Sequence, residues 1–237
     1  MNFVVAYITV TGGPKTEEYA TRFCETFEKF PPAYPFKLSV LCNGGPPAWS
    51  VGALFANFTP QFHARTNEGA DIGAYIDLAK HLDGQSETAL VCFGETVYFH
   101  RRGWLKRIAQ AWSLFGEGMY GFYASNLVRK HLNTTAFVIS PKLLASWPEP
   151  VKQRESRLLF EHGPLPMWKR VEQLGKPVKL ITWSGIYDSW DWRGHQNEFW
   201  RGDQSEVLVK SIHTDRYDDA NETTKRRWQQ NADRGLT

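Results

Sequence analysis

Residues 67–75 read Asn-Glu-Gly-Ala-Asp-Ile-Gly-Ala-Tyr, a block of small side chains around one carboxylate where a helical pattern begins. Gly69 and Gly73 permit close backbone approach, and Asp71 can either cap the helix or accept a hydrogen bond from a ribose or base. Arg101, Arg102, Lys106 and Arg107 form a cationic run. Arginine binds phosphate through paired donors, although Lys106 and Arg107 also suit the polar face of an amphipathic helix. Residues 184–205 are rich in Trp, Asp, Arg and Gly, the composition of a loop that carries function. Flat indole rings stack on sugars or bases, or else pack in a core.

Several chemistries lose support at once. The Gly12-Gly13 and Gly44-Gly45 pairs are not a G-x-G-x-x-G fingerprint, and there is no G-x-x-x-x-G-K-[ST] phosphate loop and no G-x-S-x-G elbow. Cys24, Cys42 and Cys92 are too widely spaced for a CxxC motif, and the Cys and His residues show no compact metal-ligand spacing. Three cysteines without paired spacing suit buried thiols in a reducing compartment, so a cytoplasmic setting is expected. The first residues lack a basic segment and a cleavage pattern, and no apolar run is long enough to span a membrane. A net charge of +3 is too small to imply nucleic acid, and no nucleic-acid partner is expected.

These residues need elements to position them. An apolar run at 2–10 reads as a buried strand, broken by Thr11-Gly12-Gly13-Pro14. Thr16 begins a helix with Tyr19, Phe23, Phe27 and Phe30 on one face, ended by Pro31 and Pro32. Strands follow at 36–42 and 61–65, then a helix from Asp71 to Gly84, a strand over 89–99 bent at Gly94, and a helix carrying Trp104, Ile108, Trp112 and Phe115. Further on, 134–140 and 178–183 read as strands, and 141–147 and 165–174 as helices. Alternation with short connections predicts an α/β fold with a mostly parallel central sheet flanked by helices. Ligands of such sheets sit beyond the carboxyl ends of the strands, which gathers 9–13, 43–45, 67–71 and 94–95 around one crevice. Residues 1–217 read as one domain, and 218–237 as a polar tail or surface helix. Lys225, Arg226 and Arg227 there are solvated, or suit peripheral contact with an anionic membrane surface.

The 67–73 block, followed by Leu90-Val91-Cys92-Phe93-Gly94-Glu95, Arg102-Gly103-Trp104-Leu105 and the stretch 131–139, resembles GT-A-type glycosyltransferases, in particular bacterial rhamnan-synthesis-like polysaccharide enzymes. The resemblance implies a single GT-A-like, Rossmann-like domain. It would move a sugar from a nucleotide-diphosphate donor to a glycan or other hydroxyl acceptor, in surface polysaccharide synthesis. It assigns nucleotide contacts to Thr9, Thr11, Asn43, Arg65, Asn67, Gly69 and Asp71. Glu161 would be the catalytic base, Asp203 the second catalytic carboxylate on the acceptor side, and Trp190, Trp192 and Trp200 the acceptor surface.

The family's D-x-D segment, which holds Mn²⁺ or Mg²⁺ on the diphosphate, is replaced here by Phe93-Gly94-Glu95. That leaves Glu95, with His213 as a C-terminal partner, for a divalent metal. One carboxylate is a thin site for a hard cation. The alternative expectation is therefore a catalytically silent GT-A-like module that binds nucleotide sugar or glycan without turnover.

Overall fold

The computed structural model describes residues 1–84, 87–125, 129–192 and 202–234. In chain order the elements are β1 (Asn2–Val10), α1 (Thr16–Lys29), β2 (Lys37–Asn43), α2 (Trp49–Leu54), β3 (Gln61–Arg65), α3 (Ala70–Leu82), β4 (Thr88–Phe93) and α4 (Trp104–Phe115). There follow β5 (Met119–Gly121), β6 (Ala124–Ser125), β7 (His131–Leu132), β8 (Ala136–Ile139), α5 (Pro141–Ala145), α6 (Arg154–His162) and α7 (Met167–Gln173). The last are β9 (Val178–Ile181), β10 (Ile186–Asp188), α8 (Ile212–Asp218) and α9 (Glu222–Arg234).

One sheet carries the domain, in the order β10-β9-β5-β8-β4-β1-β2-β3. β1 to β4 are mutually parallel, β8 enters antiparallel between β4 and β5, β9 runs parallel to β5, and β10 closes the edge antiparallel. The expected mostly parallel α/β sheet is the observed one. β6 and β7 pair separately as a small ribbon.

Both faces are covered, which explains the near-continuous apolar runs. Along β1, Phe3, Val5 and Tyr7 enter a core with Phe23 and Phe27 of α1 and Trp104 of α4. Val4, Ala6 and Ile8 point the other way, against Ile72, Tyr75 and Ile76 of α3 and Leu143 and Leu144 of α5. The first core is aromatic: the Tyr7 and Phe23 rings stack at 3.9 Å, and Phe99 stacks on Trp104 at 4.5 Å. The strand expected over 89–99 stops at Phe93: Gly94 still donates its N–H to Thr135 O at 2.9 Å, the next position of the β4–β8 register, and Val97 N then turns back to Gly94 O at 3.1 Å.

The tail includes a helix. α9 meets α8 where Trp228 lies parallel to Tyr217 and Gln229 Nε2 donates to the Tyr217 hydroxyl at 2.7 Å. No described helix is long and apolar enough to cross a membrane.

Candidate functional site

Beyond the carboxyl ends of β1 and β2 lies a cavity of about 130 Å³, lined by Thr9, Thr11, Gly12 and Gly13, by Thr16 and Glu17 of α1, and by Pro47, Ala48, Ser50 and Val51. Thr11 fixes its rim, donating its N–H to Asn43 O at 2.8 Å and its hydroxyl to Gly45 O at 2.9 Å. Thr9 is buried in the inner wall. Typical ligand pockets span roughly 300–1,000 Å³, so this one accommodates a single ring with the rest of a ligand outside.

Glu95 lies against the same structure. Its Oε1 accepts from Val10 N at 3.1 Å and from the Thr16 hydroxyl at 2.8 Å, while the Tyr7 hydroxyl donates to its backbone oxygen at 2.7 Å. The carboxylate thus ties the end of β4 to the end of β1 and the start of α1. Mg²⁺ or Mn²⁺ would require several oxygens, and Glu95 offers one carboxylate with one oxygen already occupied. Phe93, Gly94 and Glu95 do not fit such an ion.

Arg65 is a second organiser. Its Nη1 donates to Asn43 Oδ1 at 2.9 Å and to Ala70 O at 3.4 Å, and Nη2 donates to Glu68 O at 2.8 Å. Its Nε bonds Asp77 Oδ2 at 3.0 Å, and Nη2 reaches the same oxygen at 2.9 Å. With five N–H donors, the guanidinium is fully engaged within the protein. Its backbone oxygen also accepts from Gly44 N and Gly45 N, at 2.8 and 3.0 Å. Arg65 therefore shapes the loops after β2 and β3 and holds no donor in reserve for phosphate.

The close approach permitted at Gly69 is made by the chain itself. Gly69 has φ +72°, and a Cβ there would overlap the Val151 carbonyl oxygen. Asn67 is exposed, and its carbonyl accepts from Ala70 N at 3.2 Å. Asp71 stands one residue inside α3, so Gly69 takes the cap position. Asp71 Oδ1 accepts from Ile72 N at 3.1 Å and lies 3.4 Å from Arg157 Nη1. Burial pushes the Asp71 carboxyl up, an effect that Arg157 and the Ile72 amide oppose.

Glu161 precedes α7 but is itself helical. It occupies the last turn of α6, an element the sequence pattern does not reveal. Glu161 Oε1 accepts from Thr134 N at 2.9 Å, Oε2 lies 3.3 Å from His162 Nε2, and His131 Nε2 is 3.9 Å from Oε1. Burial pulls its pKa upward, but the His162 bond, the nearby His131 and the Thr134 amide prevail and hold it at about 2. Among the described residues, His131, Glu161 and His162 are the one group of three or more His, Cys, Asp or Glu whose ligand atoms all lie within 4.8 Å of one another. Neither Glu95 nor His213 belongs to it. His213, on α8, has its pKa lowered by burial and lies within electrostatic reach of Glu161. The absence of compact metal-ligand spacing in the sequence thus gives way to a compact group in space. The only linear signal was the Glu161-His162 pair, with His131 brought in by β7.

Trp192 is completely buried, 5.6 Å from Trp168, so it presents no face to a sugar. Trp190 lies in the turn Ser189–Asp191, and Trp200 lies outside the described residues. Asp203 is exposed and accepts from Ser205 N at 3.0 Å, an interaction that lowers its pKa. Arg101 and Arg102 border an open hollow with Lys29 and Phe30 at the far end of α1. A helix of 14 residues is about 21 Å long, so these arginines stand roughly 20 Å from the cavity at its other end.

No family model matches the chain, and no curated protein matches it. Solved glycosyltransferase structures share its general fold at low identity. Staphylococcus aureus TarS 1–349 is 16% identical, with a TM-score of 0.48 over 67% of this chain and 53% of that one. Mouse xyloside xylosyltransferase 1 is 9% identical, with a TM-score of 0.48 over 74% and 82%. The galactosyltransferase LgtC, solved with donor and acceptor sugar analogs, is 11% identical, with a TM-score of 0.46 over 71% and 66%. The chain spans about half the length of the TarS fragment it matches. At such identities and scores the likeness extends no further than the course of the backbone.

Proposed function

We propose that this chain binds a nucleotide-diphosphate sugar at the carboxyl edge of its sheet and transfers the sugar to a glycan or other hydroxyl acceptor. One observation carries the reading. The chain proceeds from β1 outward through β2 and β3, then crosses back to place β4 on the other side of β1. α1 and α3 consequently cover opposite faces. The switch point between β1 and β4 is where open α/β sheets take ligands, and the cavity opens beside it.

Thr11, Ser50 and Glu17 give the cavity hydroxyl and carboxylate groups suited to the edge of a nucleobase. The diphosphate and sugar then extend along the strand ends toward Asp71. The unit comprises residues 1–217, with α9 appended. The acceptor, the surface-polysaccharide setting and a cytoplasmic location belong to this proposal too.

A thermal-melt screen of nucleoside diphosphates and their sugars tests the reading. A ligand at about 100 times its Kd stabilises by roughly 2.7 kcal/mol. Absence of any shift at millimolar nucleotide would remove the nucleotide site.

A specific observation favours a second reading, a binding module without turnover. A general base works best with a pKa near the working pH. Glu161 is held at about 2, and Asp203 is shifted downward too. Nucleotide-sugar binding without transfer or hydrolysis, across a panel of acceptors, would decide for the module.

A further inference from the structure

We propose that His131, Glu161 and His162 form a binding site for a divalent transition-metal ion of the zinc type. The inference rests on the geometry of these three side chains and is independent of sugar transfer.

The donor set is two imidazoles and one carboxylate, a combination that suits zinc and its first-row neighbours better than magnesium or calcium. Two separate elements deliver it: β7 supplies His131, and the last turn of α6 supplies Glu161 and His162. A four-coordinate ion with bonds of about 2.1 Å holds its ligands roughly 3.4 Å apart. Here the candidate atoms lie within 4.8 Å of one another, so small side-chain rotations close the set.

The supporting contacts are already those of a metal site. His131 Nδ1 donates to Arg129 O at 2.7 Å, so in the neutral ring the lone pair is on Nε2. Metal-bound histidines are typically oriented by such a bond from the other ring nitrogen. That lone pair faces Glu161 Oε1 across 3.9 Å, too far for a hydrogen bond. Two electron-rich atoms facing each other in a buried space are reconciled by a cation between them. The Thr134 amide holds the carboxylate in place.

An independent feature lies on His162. Its Nδ1 is buried with no hydrogen-bond partner among the described residues, while Nε2 lies 3.3 Å from Glu161 Oε2. Its ring meets that of His131 edge to face at 4.1 Å between centroids. A buried nitrogen without a partner is costly, and turning the ring onto a metal gives it one.

Asp71, at the start of α3, and His213, on α8, both lie within electrostatic reach of Glu161. Three protein ligands leave a coordination position for water or an incoming oxygen ligand.

The test uses the full chain, stripped with a chelator and titrated with cobalt(II) alone. Visible absorption reports the ligand field, and zinc(II) is then added in competition. The expected result is one equivalent of cobalt with the intense bands of a four- or five-coordinate nitrogen–oxygen site, displaced by zinc. Loss of a group that hydrogen-bonds a metal ligand typically weakens metal binding about 10–100-fold, and loss of a ligand should cost at least as much. His131→Ala and His162→Gln should each show that loss, and Glu95→Gln should bind cobalt as the parent does.

His131 is buried, so circular dichroism and melting of each variant accompany the titration. The more accessible His162→Gln carries the test if His131→Ala does not fold. Absence of bands in the parent protein would overturn the proposal. So would bands that survive in folded His162→Gln, or bands abolished by Glu95→Gln.

Discussion

Gly69 and Val151 meet backbone to backbone: a side-chain carbon on Gly69 would occupy the position of the Val151 carbonyl oxygen. The adjacent Gly69 N–H donates to Lys152 O at 3.0 Å. The loop before α3 is thereby pinned to the segment leading into α6, which brings Asp71 to Arg157. Gly69→Ala should lose more than the 1–3 kcal/mol typical of a left-handed non-glycine residue, because overlap adds to the strain. Urea denaturation measures this, and a loss below about 1 kcal/mol would show that the two segments part easily.

Arg65→Lys should be far from conservative. A lysine cannot reproduce a planar fork that bonds Asn43, Glu68, Ala70 and Asp77 together. The expected loss is about 1–3 kcal/mol, given two buried or half-buried acceptors left unpaired. Nucleotide affinity should fall with it, because the rim built on Asn43 loosens. Equal stability of the lysine variant would mean that water replaces the fork at no cost.

Ala48 is exposed at the mouth of the cavity. Ala48→Trp should therefore fill the opening while leaving stability within about 0.5 kcal/mol. Nucleoside diphosphate affinity, measured by calorimetry, should fall at least tenfold. Unchanged affinity in the folded variant would place the nucleotide elsewhere.

The Glu117 carboxylate sits between Lys176 Nζ at 2.8 Å and the Ser140 hydroxyl at 2.7 Å. Burial works against the charge, but Lys176 and Ser140 outweigh it and hold the pKa below the ordinary 4.5. A carboxylate lowered on folding contributes stability above its unfolded pKa and loses it as pH falls through the folded value. Melting temperature should therefore fall more steeply below pH 4.5 in the parent than in Glu117→Gln. Parallel curves would mean that the pair contributes nothing.

Much of this fold was legible in the chain because the first four strands are bounded runs. The run at 61–65 coincides with β3, and 2–10 with β1, which Gly12, Gly13 and Pro14 close. β5 was hidden by its length of three residues. α6 was hidden by its composition: Phe160 is its buried apolar side chain, whereas Leu158 and Leu159 face outward, so no periodic stripe announces it. The candidate site divides the same way. Strand-end topology points to the ends of β1 and β2, where a cavity lies, but residues within 9–17 and 47–51 line it and none of 43–45, 67–71 or 94–95 does. The grouping of His131 with Glu161 and His162 depends on a ribbon and a helix that meet only in three dimensions. Trp192 misled for a related reason, since an indole in a loop-like stretch carries no mark of whether it faces outward or into the core.

The place of β8 in the sheet has a consequence for synthesis. β4 ends at residue 93, yet its neighbour on that side is β8, whose last residue is 139. β5, made in between, pairs with β8 and β9 rather than with β4. A chain emerging from the ribosome therefore completes the β3-β2-β1-β4 half first and carries an open, apolar β4 edge until some 45 further residues have appeared. Arrest in that interval would leave a ready template for pairing with another nascent chain.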